Sequence, residues 1–192
     1  MTMDTITHEI RHLTRTELDE GLAEIRRSPK DNGRLAGIVI RPAVDERRSL
    51  ASVEISAEGG VHGDRWAREC WKTLPDGRPH PDVQVCIMNA RAIALVAQHE
   101  DRWPLAGDNL FLDLELSDEN LPPGQRLALG SAVLEITAEA HNACGKFAER
   151  YGRDAAKFVN SPEGKRIRLR GIYAKVVQSG TIRVGDAATK LA

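Results

Sequence analysis

A chain of 192 residues with 41% apolar and 29% charged side chains has the balance of one ordinary globular domain, not of a disordered segment. Its formal net charge of −1 offers nothing electrostatic to nucleic acid or an anionic membrane, and no apolar run reaches the length of a membrane span. Three cysteines, Cys70, Cys86 and Cys144, without CxxC spacing argue against a disulfide framework or a zinc knuckle. Together with an N-terminus that lacks the apolar core of a signal peptide, they point to a reducing cytoplasm.

In chain order, residues 14–27 read as a helix. Leu18, Leu22 and Ile25 recur on one stripe, Thr14 and Glu17 form a capping box, and "SPKDNG" stops the segment. "RLAGIVIRP" is a short β-branched run ended by Pro42. "LASVEISAEGG" and "DVQVCIMN" alternate with the period of strands, the second with Val83, Val85 and Ile87 on one face and Cys86 on the other. Asn89 then caps a helix running to about His99. Glycine and proline punctuate the rest into short strands: "AGDNLFLDLEL", then "LPPGQRLALGSAVLEITAEAH". Phe147, Tyr151, Ala155 and Val159 keep helical spacing, with Gly152 bending the segment. "RGIYAKVVQSGTIRVGDAATKL" reads as a hairpin turning at Ser179-Gly180. Many short strands with a few irregularly placed helices predict a mainly β, α+β fold: a single barrel domain. The expected division is a helical extension over 1–34, the barrel over 35–187 and a tail over 188–192.

Among possible sites, "AHNACGKFAERYG" stands first. With Asn142 as N-cap, Cys144 falls in the first helical turn, where unpaired N–H groups favour a thiolate. Lys146, and His141 when protonated, push its pKa the same way. Such a thiolate attacks sulfur, binds a soft metal or carries a persulfide; a buried, inert cysteine is the plain alternative. Cys70 and Cys86 read as packing residues. "GGVHGDRW" places Asp64 and Arg65 on a glycine-rich loop, where Arg65 grips a phosphate or carboxylate and Asp64 orients it, or where the two simply close a turn. His62 and Asp64 lack a third ligand for a metal. Gly107, Asp108 and Asn109 precede a strand as a turn, and Arg170 and Tyr173 lie on a late strand.

Taken together and in this order, "GGVHGDRW", "AGDNLFLDLEL", "LPPGQRLALGSAVLEIT", "AHNACGKF" and "LRGIYAKVVQSGTIRVGD" resemble the MOSC family, named for the C-terminal part of molybdenum cofactor sulfurases. The resemblance covers roughly residues 35 to 187 and implies a MOSC-type β-barrel with peripheral helices. It maps the family cysteine onto Cys144, as a metal ligand or a persulfide carrier. It maps the GDR segment onto Gly63, Asp64 and Arg65 and the GDN segment onto Gly107, Asp108 and Asn109, loops expected to share one pocket. By analogy Arg65, Arg170 and Lys146 become contacts for the pterin phosphate of molybdenum cofactor. Two departures stand out: Ala143 where many members have proline, loosening the approach to Cys144, and Trp66 where many have histidine. The chain has no aminotransferase-like part, so pyridoxal phosphate is not expected on it.

The resemblance implies three functions. The first is reduction of N-hydroxylated small molecules on molybdenum cofactor with Cys144 as thiolate ligand, which needs a separate electron donor because no flavin or iron–sulfur motif is present. The second is a sulfur carrier loaded on Cys144 by a cysteine desulfurase. The third is non-catalytic binding of a small anion by Arg65 and its loop.

Overall fold

The computed structural model describes residues 11–192. Seven strands close into a barrel: β1 (Gly33–Ile40), β5 (Val85–Asn89), β6 (Leu110–Asp113), β7 (Arg126–Leu129), β8 (Ala132–Ile136), β9 (Ile172–Gln178) and β11 (Ala187–Leu191). The circuit runs β1-β11-β7-β8-β9-β5-β6 and returns to β1. β2 (Arg48–Leu50) extends it at one end of β1, where Ile38 faces Leu50. β5 and β6 are parallel neighbours, whereas the other barrel pairs are antiparallel. A parallel pair needs a crossover. Here it consists of α2 (Ala90–Ala97) and a 3-10 helix over Glu100–Ala106.

Alternation explains the layers. Val85, Ile87, Leu110 and Leu112 point into the barrel with Leu127, Leu134, Ile136 and Ala174. The intervening Met88 and Phe111 point outward and are buried with Leu18, Ile93, Phe147, Tyr151 and Phe158 under the helices. α1 (Arg15–Ile25) begins with the expected capping box: the Glu17 carboxylate accepts from the Thr14 amide at 2.8 Å. It packs on α2 and α4 (Arg153–Val159), with Leu18 and Ile25 buried. Asn89 caps α2 as expected, accepting from the Ala92 amide at 2.9 Å, and the helix ends at Ala97. Among the described residues no helix is long and apolar enough to cross a membrane.

Several boundaries differ from expectation. Of the helical extension over 1–34, residues 1–10 lie outside the described residues; Gly33 and Arg34 already belong to β1 and pair with β11. Residues 187–191, mostly assigned to a tail, form the strand that closes the barrel. The Ser179-Gly180 hairpin does not form. One residue between β9 and β10 (Gly180–Arg183) is too short to reverse the chain. It bends the chain instead into a separate sheet, where β10 pairs with β3 (Ser52–Ser56), which also pairs with β4 (Gly60–Val61). The helical run after Cys144 is two helices, α3 (Gly145–Tyr151) and α4, broken at Gly152. There φ is +97°, and an added Cβ would press on the His12 side chain. α5 (Pro162–Arg166) follows, capped by Ser161.

Candidate functional site

The GDR and GDN segments converge on a residue outside both motifs. Arg41 leaves the end of β1, and its guanidinium spends every nitrogen inside the chain. Nε and one terminal nitrogen donate to the two Asp64 oxygens at 2.9 Å, and that terminal nitrogen also donates to Asn109 Oδ1 at 3.1 Å. The other donates to the Gly107 carbonyl at 2.9 Å and lies 3.5 Å from Cys86 Sγ. Asp64 further accepts from the Arg41 amide, the Trp66 amide and Asn109 Nδ2. Asp64 is therefore saturated by Arg41 and its neighbours and does not orient Arg65. Arg65 instead reaches Glu69 at 3.3 Å. Asn109 is fully buried and ties β1, β5 and the GDR loop together.

Asp108, also fully buried, holds Arg170 through contacts of 2.7 and 3.0 Å, and Arg170 donates again to the Ala106 carbonyl. Gly171 makes this possible. Its φ is +108°, and any Cβ would collide with the Ile87 carbonyl of β5, so the chain passes close enough to bring Arg170 onto residues 106–108. The Arg170 guanidinium also lies 5.1 Å from the Phe147 ring centroid on α3. His141 stacks on Tyr173 with centroids 4.4 Å apart, and its Nδ1 is 3.7 Å from Asp108 Oδ1. Burial, then the charges of Arg170 and Arg41, push its pKa well below the usual imidazole range. His141 is thus neutral and does not assist the Cys144 thiolate as expected.

Cys144 is exposed, unlike buried Cys86 and half-buried Cys70. It is itself the N-cap of α3, the position expected for Asn142, and its carbonyl accepts from the Phe147 amide at 3.0 Å. Partial burial pushes the thiol pKa up. The Phe147 and Lys146 amides and the charge of Arg170 outweigh it, and the pKa ends below the ordinary thiol value. Ala143, in place of proline, does not loosen this approach: Asn160 accepts from its amide at 3.0 Å and donates to its carbonyl at 3.1 Å. Proline could not have donated the first of these bonds. Lys146 turns to Asp45, shared with Arg150, at 3.1 and 3.2 Å.

Two cavities meet at His141 and Arg170. One, of about 190 Å³, is lined by Arg41, Arg65, Trp71, Gly107 and Tyr173 besides. The other, of about 320 Å³, includes Thr137, Glu139, Asn142 and Arg168. Arg65 of the GDR loop and Gly107 of the GDN loop thus share the smaller cavity as expected, whereas Gly63 and Asp64 face a separate cavity of about 660 Å³ under the three-stranded sheet. Cys144 lines none of these cavities, but its thiol feels the charge of Arg170, which lines two of them. Buried Trp66 Nε1, His141 Nδ1 and Arg170 Nε at the cleft, and Arg47 Nε nearby, have no hydrogen-bonding partner within the chain. Burial lowers the Arg47 pKa, and the neighbouring Arg150, Arg41 and Arg65 lower it further. The cleft is thus rich in positive charge and unsatisfied N–H donors, which suits an acceptor-rich anion. No group of three or more His, Cys, Asp or Glu residues among the described residues could hold a metal, so a metal here would draw on one thiolate and non-protein ligands. Arg41, Arg47 and Asn160 escaped sequence reasoning because each is an isolated polar residue whose role depends on partners far along the chain.

The fold has solved counterparts. The chain is similar to the YUAD protein from Bacillus subtilis, with TM-score 0.61 and 19% identity over 82% of this chain and 94% of that one. It is similar to YiiM from Geobacillus stearothermophilus (0.54, 17%, 83% and 75%) and to YiiM from Escherichia coli (0.53, 14%, 83% and 70%). At these identities the likeness is one of fold. No curated protein sequence matches the chain. The family model of the MOSC domain matches residues 76–189, more than half of the chain, and the protein belongs to the MOSC domain family.

Proposed function

We propose that this protein binds molybdenum cofactor in the arginine-lined cleft, with Cys144 as the thiolate ligand of the metal, and reduces N-hydroxylated small molecules. The observation that carries the reading is an exposed, acidified thiol within the field of Arg170, together with a cleft where Arg170 Nε, Trp66 Nε1 and His141 Nδ1 lack internal partners. These residues fit the cofactor. Arg65 and Arg170 would hold its phosphate and pterin acceptors, and a thiolate suits the soft metal. Asp64, Asp108 and Asn109 act one step back, by fixing Arg41 and Arg170. Lys146 and Arg150 pair with Asp45 and line neither cavity of the cleft. When bound, the cofactor supplies two-electron redox chemistry, and a separate electron-transfer protein supplies the electrons. Trp71, 68% exposed at the mouth, offers a flat apolar surface to an incoming substrate.

Metal and pterin analysis of the chain purified from a host that makes the cofactor tests this. Molybdenum and pterin are expected with the wild type, and Cys144→Ser is expected to lose reductase activity while remaining folded. If neither molybdenum nor pterin is retained and none can be loaded, the proposal fails. The exposure of Cys144 outside the cavity walls, open to another protein, favours a sulfur carrier as the second reading. Incubation with an active cysteine desulfurase and cysteine would then add one sulfur to Cys144, detectable by mass.

A further inference from the structure

We propose that His141 is the proton-transfer residue of the cleft, oriented by Asp108 at Nδ1 and presenting Nε2 to the ligand. This rests on the N-hydroxy reductase reading and adds to it a group that delivers the proton.

Four observations support the assignment. His141 belongs to both cavities, at the wall they share. Its Nδ1 is buried and 3.7 Å from Asp108 Oδ1, with no hydrogen bond made. Asp108 is fully buried, so the ring edge left to meet a ligand is Nε2. Tyr173 of β9 fixes the ring plane by stacking at 4.4 Å. A carboxylate behind one ring nitrogen sets the tautomer and stabilises the imidazolium when it forms. Contacts of this kind are often long without substrate and tighten when it binds. The charged and titratable groups around the ring are Asp108, Arg170 and Arg41, with the Tyr173 phenol beyond. Burial first, then the charges of Arg170 and Arg41, keep the free ring neutral; an anion at the unpartnered Arg170 Nε opposes the arginine charges, and the ring takes its proton from solvent with that ligand in place.

The reaction balances as R–NHOH plus two electrons and two protons giving R–NH2 and water. A reduced flavin or iron–sulfur electron-transfer protein provides the electrons. As the N–O bond breaks, the imidazolium gives its Nε2 proton to the departing oxygen, which leaves as water. The second proton reaches the nitrogen from solvent. The ring returns to neutral with its remaining proton on Nδ1, against Asp108.

The first test needs no activity. In the 15N-histidine spectrum of the full-length chain, the signal missing from His141→Gln identifies His141. The Nδ1–H tautomer is expected; an Nε2–H tautomer overturns the proposal. Asp108→Asn is expected to shift that tautomer, and if this variant does not fold the wild-type spectrum decides alone. The second test is kinetic, on cofactor-loaded protein. His141→Gln is expected to keep its molybdenum and pterin but lose about 10²–10⁴-fold in kcat, with the pH profile altered. A loss below about threefold, with the cofactor retained, overturns the proton-transfer role. If loaded wild type reduces no N-hydroxylated compound, the substrate class fails, and the tautomer still judges the Asp108–His141 pair.

Discussion

Asp64→Ala is expected to damage the fold more than any change at Cys144. The carboxylate is 4% exposed and accepts five hydrogen bonds, three from Arg41 and one each from Asn109 and the Trp66 amide. Removing it strands a guanidinium whose side chain is only 15% exposed, along with three neutral donors, the Arg41 and Trp66 amides and Asn109 Nδ2. Breaking a buried ion pair from one side costs about 3–5 kcal/mol. For a chain of this length each kcal/mol lowers Tm by about 2–4 °C, so a fall on the order of 6–20 °C follows. Urea denaturation should show the midpoint falling at an unchanged slope. A cost below about 1 kcal/mol would refute the argument, because it would mean that water replaces the carboxylate at Arg41. Burial pushes the Asp64 carboxyl up, but the Arg41 guanidinium and the Arg41 and Trp66 amides outweigh this and hold its pKa below the ordinary carboxylate value. A depressed carboxylate stabilises the fold above its unfolded pKa of about 4, and that contribution disappears as pH falls through the folded value. Wild type should therefore lose stability below about pH 4 more steeply than Asp64→Asn.

Iodoacetamide under native conditions should label Cys144 first, because it is exposed with a lowered pKa, and leave Cys86 untouched, because burial pushes that thiol up. Peptide mass mapping that finds Cys86 labelled first would contradict this. Cys144→Ser should change stability by less than about 0.5 kcal/mol, since the side chain packs on no core, and a larger loss in urea would show a structural role. Asn89→Ala removes the α2 cap and the donors to Ser28 Oγ and the Leu114 carbonyl. It should cost about 2–4 kcal/mol by urea midpoint, and a near-neutral result would show that water enters there. Gly171→Ala should express poorly or lose at least about 3 kcal/mol, since its φ is +108° and its Cβ has no room; wild-type stability would mean that the β5 approach is looser.

How much of this was legible in the sequence follows from the range of each interaction. Local interactions could be read directly. The Thr14–Glu17 box, the Asn89 cap, the alternation of Val85 and Ile87 and the break at Gly152 each depend on residues within a turn or two. The hairpin failed because whether β10 returns to β9 or leaves for β3 is decided by a distant edge, not by Ser179-Gly180. The closing strand was missed because Ala188 and Thr189 carry little β pattern and are held by β7 and β1. At the site, Cys144 was legible from its neighbours, and its exposure and lowered pKa agree with the helix-start argument. The GDR and GDN residues were legible as a set, but their work was not. Asp64 and Asn109 serve Arg41, and Asp108 serves Arg170, across separations of 23, 68 and 62 residues. His141 was taken as a charge that would acidify the cysteine. Burial against Tyr173 and the nearness of Arg170 make it neutral, because desolvation and charge repulsion depend on three-dimensional surroundings that no spacing encodes. By itself, then, the sequence determined the barrel class, the Thr14 and Asn89 caps and which of the three thiols to single out. Only the closed barrel decided which polar residues face the cleft and which hold its arginines in place.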